Sequence, residues 1–553
     1  MRYRKIECYP NAAQYKENQS VLIIINTKED LSDDAKLLLR VTNLEKTIVS
    51  REINISGAAK DEWIEIGQFH NGGYGVDLIE NEIVVARTAF DVVAKGQQVI
   101  RYGFLTDFDT NEKSDEDILF MNKMHLNAVQ FYDWMYRHEE LVSDNETYKN
   151  PLDLEVSNEV IKRKIEQCKH YQIRPFAYGA VYAASKQFYE SHKDWAMYTK
   201  DGKVISFADW LIFMNISKEC AWSKYIVEQF KEAIKCLGFE GIHMDTYGYP
   251  KKAWSHDGKK IELDQDFSFL INQAANAVRE ENPNAGVIFN AVNDWPIEKV
   301  AAADQDSLYI EVWPPHDTYY DLYHLIKKAR TISDKKNVIL AAYMHPFAEE
   351  NYDANAEKAF LLTYAVICAS GGSQLVLGES GGALCDSYYN KYATLSKLFL
   401  TQVQVYANYV VEYRELLMDS EIVDISLTAA GGINEDLKFQ SKKCCFSSKA
   451  EADKVWTLVG ITNHRMILHL INLCGENDLW NEAKKSDKIE IDDIVIQILL
   501  DRKIKGIYFA SPDFNDGRKT ALSYRCEIGE QGNYLYLSDI RLQIWSTVWI
   551  DYE

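Results

Sequence analysis

The chain has 553 residues, too many for one ordinary hydrophobic core, so two or three domains are expected. Acidic residues outnumber basic ones by 83 to 61, a formal charge of -22 that repels nucleic acid and the anionic face of a membrane but leaves a neutral polymer unaffected. With 47% hydrophobic and 26% charged residues the composition is globular, and no run approaches the roughly 20 apolar residues of a membrane span.

Met1 to Ser20 lacks the apolar core of a secretory signal, so the expectation is a cytoplasmic protein, or a secreted one if a signal has been removed. From Ser20 to Val93 short apolar runs (VLIIINT, KLLLRVTNL, KTIVSREINISG, EWIEIGQF, NEIVVARTAFDVV) are punctuated by turn residues such as Asn71-Gly72-Gly73. This rhythm predicts a small, immunoglobulin-like β-sandwich over residues 1–96.

From Val99 buried strands alternate with helical stretches, the signature of crossover units around a parallel sheet. Eight strand candidates follow in order: VIRYGFLTDF, LNAVQFYDW, IRPFAYGAVY, GIHMDTYG, GVIFNAVN, SLYIEVW, VILAAYMHP and SQLVLGE. Between them lie helices such as KYIVEQFKEAIKCLG, where Ile226, Phe230, Ile234 and Leu237 recur at helical spacing and Gly238 stands at the C-terminal cap. Eight units predict a (β/α)8 TIM barrel over residues 97–415. After Asp419 the strand rhythm returns (KVWTLVGI, RMILHLINL, NYLYLSDIRLQIWSTVWID), which predicts a second β-sandwich over residues 416–553. The ten Cys show no framework or CxxC spacing and read as reduced; the adjacent Cys444 and Cys445 lack the partners of a metal site.

In barrels of this kind the reacting groups sit at the C-terminal ends of the strands. Asp133 ends the second candidate strand, Asp245 the fourth, Asn290 the fifth and Glu311 the sixth, and Glu379 follows the eighth. One such carboxylate is ordinarily a helix cap or loop anchor, but several converging on one mouth point to chemistry. Glycosidic cleavage needs one protonated and one ionised carboxyl, and Asp245 and Glu311 are placed to supply them. The apolar neighbours Ile310, Val312 and Trp313 would help Glu311 keep its proton. His243 reads as an inward-facing, hydrogen-bonded barrel histidine. Aromatic residues crowd the strand ends, and Trp134, Tyr178, Tyr182 and Trp313 are candidate sugar contacts, with Trp134 and Trp313 foremost for stacking. HExxH, GxxxxGK[ST], GxSxG and dinucleotide patterns are absent, so neither a metal nor a cofactor is expected.

Taken together, RYGFLTDF, NAVQFYDWMYRHE, YGAVYAAS, GFEGIHMDTYG, FNAVN, LYIEVWP, AAYMHP and LVLGE resemble glycoside hydrolase family 66, the dextranases and cycloisomaltooligosaccharide glucanotransferases. The resemblance implies a retaining endo-hydrolase of α-1,6-glucan, with dextran or isomaltooligosaccharides as partner, Asp245 as nucleophile, Glu311 as acid/base and Asp133 holding the sugar beside the nucleophile. Retention implies carboxyls only about 5 to 5.5 Å apart. The cyclising members carry a long carbohydrate-binding insertion between the last two barrel strands, whereas AAYMHP and SQLVLGE here lie fewer than thirty residues apart, which favours a plain dextranase. A cyclising transglycosylase, a hydrolase of short isomaltooligosaccharides and a catalytically silent carbohydrate-binding barrel are the alternatives. The sequence does not specify an oligomeric state.

Overall fold

In Ser20–Thr27 the side chains of Val21, Ile23 and Ile25 fall on one face at the two-residue period of a strand, and all three are buried. They meet Leu37, Leu39, Val76, Leu78 and Phe90 from a second sheet, so the N-terminal core lies between two layers. One layer orders Ile6–Pro10, Ser20–Thr27 and Asp61–Gln68; the other orders Tyr15–Lys16, Ile83–Val93, Gly72–Glu80, Ala35–Asn43 and Lys46–Ile55. The computed structural model describes residues 6–27, 35–56, 61–97, 99–334, 336–348, 352–431, 434, 436–485, 487 and 489–553.

All eight expected barrel strands are present, in chain order around one parallel sheet: Tyr102–Leu105, Ala128–Phe131, Arg174–Ala180, Gly241–Asp245, Gly286–Asn290, Ser307–Glu311, Asn337–Ala341 and Ser373–Gln374. They are apolar runs without alternation because both faces are covered. Tyr102, Phe176, Ile288, Tyr309 and Ile339 fill the interior, while a larger core packs the outer face against the helices. A parallel bridge from Phe104 to Gly378 joins the first strand to the segment after the last. Gly378 is needed there, since a Cβ would stand 2.3 Å from the Phe104 ring.

The helix Ala221–Leu237 buries Ile226, Phe230, Ile234 and Leu237 as its spacing predicts, and ends on Gly238 in the left-handed conformation at φ 85°. Two excursions raise walls above the barrel mouth. One runs from Asp133 to Ser157; the other carries the small sheet of Ala183–Ser185, Ser206–Phe207 and Leu211–Phe213.

After the barrel, seven-stranded and four-stranded sheets enclose a core that includes Val455, Leu468, Leu470, Ile496, Leu537 and Val548. Trp456, Trp545 and Trp549 point the other way and merge with the outer core of the barrel. Tyr409 of the helix Lys397–Glu412 adds a hydrogen bond to Thr547 Oγ1 at 2.7 Å across this junction.

Candidate active site

Asp245, Asn290 and Glu311 are the last residues of three consecutive strands, so their side chains converge on the barrel mouth. Asn290 Nδ2 donates to Asp245 Oδ1 at 2.8 Å and to Glu311 Oε2 at 2.9 Å, bridging the two carboxyls with one amide. Each carboxyl also takes a phenol: Tyr178 Oη donates to Asp245 Oδ2 at 2.8 Å, and Tyr343 Oη donates to Glu311 Oε1 at 3.0 Å. Both carboxyls are therefore held at each oxygen.

Asp133 comes from the turn after the second strand. Its φ of 53° lies in the left-handed region, which Asp tolerates better than most residues, and its carbonyl is held by Asn150 Nδ2 at 2.9 Å. Among the described residues no cation bears on any of the three acids. Without a cation, burial dominates their electrostatics. It pushes the Asp133 carboxyl up to about 7, with the Asp245 charge adding to the rise. Burial likewise raises Asp245, helped by the Glu311 charge and opposed by the Asn290 and Tyr178 hydrogen bonds. Glu311 is also raised by burial, against hydrogen bonds from Asn290, Tyr343 and Trp313. Asp245 and Glu311 thus titrate as a pair that retains a proton well above the ordinary carboxylate range. One proton on two fixed carboxyls is what acid-assisted displacement at a sugar carbon requires.

His243 is inward-facing and hydrogen-bonded, with Nδ1 3.2 Å from Tyr102 Oη and its ring stacked on Tyr102 and Tyr178. Burial lowers its pKa to about 3, so it forms a neutral cleft floor. Trp313 is half-buried, lines the cleft and meets Tyr343 edge-on at 6.0 Å.

Three expected contacts are corrected. Trp134 is fully buried, its Nε1 bonded to Tyr178 O at 3.0 Å and its ring packed on Phe239 at 5.0 Å. The turn at Asp133 directs the acid to the mouth and the next ring into the outer core, so Trp134 supports Tyr178 and no sugar face reaches it. Tyr182 is buried too; its Oη donates to Tyr249 O at 3.0 Å and accepts from Tyr247 N, which makes it a prop for the Tyr247 loop. Glu379 does not line the cleft; it is buried and accepts from Thr106 N at 2.9 Å, Asp107 N at 3.1 Å and the Thr106 hydroxyl. It clasps the last strand to the first.

The cleft encloses about 360 Å³, and several of its lining residues carried no sequence signal. Tyr389 stacks on Tyr132 at 4.2 Å and bonds to Tyr309 Oη at 3.1 Å, but it follows the eighth strand by a long loop. At the far end Trp210, partly exposed, and His138 form a wall with ring centroids 6.0 Å apart. Tyr343 was within reach, since it stands two residues past the end of the seventh strand. Among the described residues no group of three or more His, Cys, Asp or Glu has the arrangement of a metal site.

A parallel barrel whose strand ends carry two amide-bridged carboxyls in an aromatic cleft has the arrangement of groups that glycosidic chemistry calls for. The chain matches the model of glycosyl hydrolase family 66 over residues 11–549, and it belongs to that family. It is 22% identical over 634 aligned positions to a cycloisomaltooligosaccharide glucanotransferase of Niallia circulans, which covers 86% of this chain and 64% of that protein. It is 24% identical over 384 positions to a dextranase of Streptococcus salivarius, covering 60% of this chain and 46% of that one. The chain thus spans less than two thirds of the length of these relatives. A solved cycloisomaltooligosaccharide glucanotransferase of Paenibacillus sp., complexed with cycloisomaltoheptaose, has the same fold, with a TM-score of 0.87 at 21% identity over 98% of this chain and 99% of that one.

Proposed function

We propose that the protein cleaves α-1,6-glucosidic linkages in dextran-like glucans by double displacement, giving isomaltooligosaccharides. The carrying observation is the Asn290 bridge: one amide nitrogen 2.8 Å from Asp245 Oδ1 and 2.9 Å from Glu311 Oε2 leaves those facing oxygens less than about 6 Å apart, below the roughly 6.5–9.5 Å at which an inverting mechanism sets its carboxyls to admit a water. Asp245 attacks the anomeric carbon as Glu311 gives its proton to the departing glycosidic oxygen, so the C–O bond breaks as the Asp245 ester forms. Glu311, now ionised, takes a proton from water, whose oxygen displaces Asp245 and regenerates both groups. Asp133 holds the sugar beside the nucleophile, as in the family the chain belongs to. Its raised pKa lets a neutral carboxyl donate to a sugar hydroxyl as well as accept from one.

A second reading, in which a sugar hydroxyl replaces water in the second step, is supported by the two glucanotransferases of Niallia circulans among the relatives. The short connection from Ala341 to Ser373 speaks for hydrolysis, since the family's cyclising members carry an insertion there. The test is time-resolved product analysis on dextran, pullulan and isomaltotriose. Internal cuts in dextran with linear products support hydrolysis, mainly cyclic products support transfer, and cleavage of pullulan alone overturns both.

A further inference from the structure

Past Trp313 the mouth opens into a second cavity of about 330 Å³ that shares only Trp313 and Tyr343 with the catalytic cleft. Its near wall is the barrel loop of Pro314 and Asp317 together with His345; its far wall is Leu479–Glu482, from the C-terminal sheet region.

That far wall is built in place. Tyr319 N donates to Asp478 O at 2.9 Å, Trp480 N to Asp317 O at 3.1 Å and Trp480 Nε1 to His316 O at 2.8 Å. His345 N donates to Asn481 Oδ1 at 2.9 Å, and Asn481 Nδ2 returns a bond to His345 Nδ1 at 3.0 Å. A loop pinned by five hydrogen bonds to another sheet system gives a pre-formed pocket, whose binding cost in ordering is small. Asp317, His345 and Glu482 are exposed around it, two carboxylates and an imidazole beside an indole. That mixture of ring face and hydrogen-bonding groups suits a neutral polyol better than an anion or an apolar ligand.

Position says which part of a glucan it would take. Around the rim the order is Asp133 and Tyr178, Asp245, Asn290, Glu311, then Tyr343 and the second cavity, following strands two to seven. The sugar attacked by Asp245 lies on the Asp133 side. Glu311 protonates the oxygen that leads to the next residue, so the chain continues past Glu311, towards Trp313.

We infer that the cavity between the barrel and Leu479–Glu482 binds the leaving-group end of an α-1,6-glucan, and in the second step an incoming acceptor sugar, with Trp313 as ring platform and Asp317 and Glu482 accepting from sugar hydroxyls. The inference rests on the double-displacement reading above. It makes the C-terminal region part of the substrate site.

The test compares kcat/KM on isomaltohexaose, whose leaving group is a glucan, with that on 4-nitrophenyl α-isomaltoside, whose aryl leaving group has no hydroxyl to give Asp317 or Glu482. In the Asp317→Ala, Glu482→Ala double variant the ratio of the two values falls about tenfold, as expected for the loss of one or two hydrogen bonds. The isosteric D317N/E482Q pair, which keeps the wall's shape, gives a smaller fall in the same direction. With the aryl glycoside as donor and isomaltotriose as acceptor, both variants also shift products from transfer to hydrolysis. An unchanged ratio in both variants, with the wild type active on both substrates, overturns the subsite and leaves the proposed function standing. A wild type inactive on both overturns the functional reading and the subsite with it.

Discussion

Tyr178 Oη donates to Asp245 Oδ2 at 2.8 Å, so the candidate nucleophile is held by a phenol from the neighbouring barrel strand. The bond favours the ionised carboxyl. In Tyr178→Phe the Asp245 pKa rises, and the acidic limb of the kcat/KM profile on dextran moves to higher pH. A charge-assisted bond is worth about 1.5–3 kcal/mol, so activity near neutrality falls roughly ten- to a hundredfold. A pH–rate profile checks both, and an unmoved acidic limb removes Asp245 from the role.

Glu311→Gln cannot protonate a departing sugar oxygen, and general-acid loss costs about 10²- to 10⁴-fold on dextran. With isomaltosyl fluoride, whose leaving group needs no proton, the first step is largely spared. The amide also removes the partner that shares the proton, so Asp245 shifts from half of a paired titration to a single step. Carbon-13 NMR of labelled Asp carboxyls measures that shift; equal losses on both substrates count against an acid role.

Asp133 provides a pH test of stability. Its folded pKa of about 7 lies above the ordinary aspartate value of 3.8, so the folded state binds the proton more tightly and stability is lost as pH rises from about 4 to 7. Three pH units amount to about 4 kcal/mol at most. Asp133→Asn escapes this, so it gains more stability over the wild type at pH 8 than at pH 5, while losing activity. Urea melts at the two pH values decide the matter: equal gains would show that the carboxyl is not held neutral by its surroundings.

The two tryptophans should separate. Trp134→Ala empties a buried indole site and costs about 3–5 kcal/mol, seen as a lowered melting temperature. Trp313→Ala, at the cleft wall, leaves the melting temperature nearly unchanged and reduces kcat/KM on dextran about tenfold. The reverse pattern would restore Trp134 as the sugar platform.

Glu379→Ala removes the acceptor shared by the Thr106 and Asp107 amides and the Thr106 hydroxyl, at a cost of about 1–3 kcal/mol in all, because both residues are partly open to water. Thermal unfolding falls in temperature while KM for dextran stays constant. A raised KM with normal stability would place this carboxylate in the substrate site after all.

The barrel was legible because its information is local. Runs such as GIHMD and SLYIE carry both-face burial in their composition, and Gly238 marks a helix end by the one conformation that glycine adopts freely. Asp245, Asn290 and Glu311 were legible as a cluster for the same reason, since a parallel barrel sends the last residue of each strand to one mouth. What these three do to one another was not legible. Asn290 spans both carboxyls only because strand register sets it between them at hydrogen-bonding height.

By itself, then, the sequence determined the parallel barrel between two strand-rich regions and the acidic strand ends. Tertiary structure alone decided which side chains past a strand end face the cleft. Trp134 and Asp133 are neighbours in sequence, yet a positive φ and the space beside Phe239 send one to the outer core and the other to the mouth. Glu379 is an acid near a strand end like Glu311, but the amides of Thr106 and Asp107, distant in sequence, claim it. The loop Leu479–Glu482 reaches the barrel through contacts with Asp317 and His345 that no local pattern encodes. Strand period is written residue by residue, whereas the direction of a side chain beyond the strand is set by whichever distant groups need a partner or a packed neighbour there.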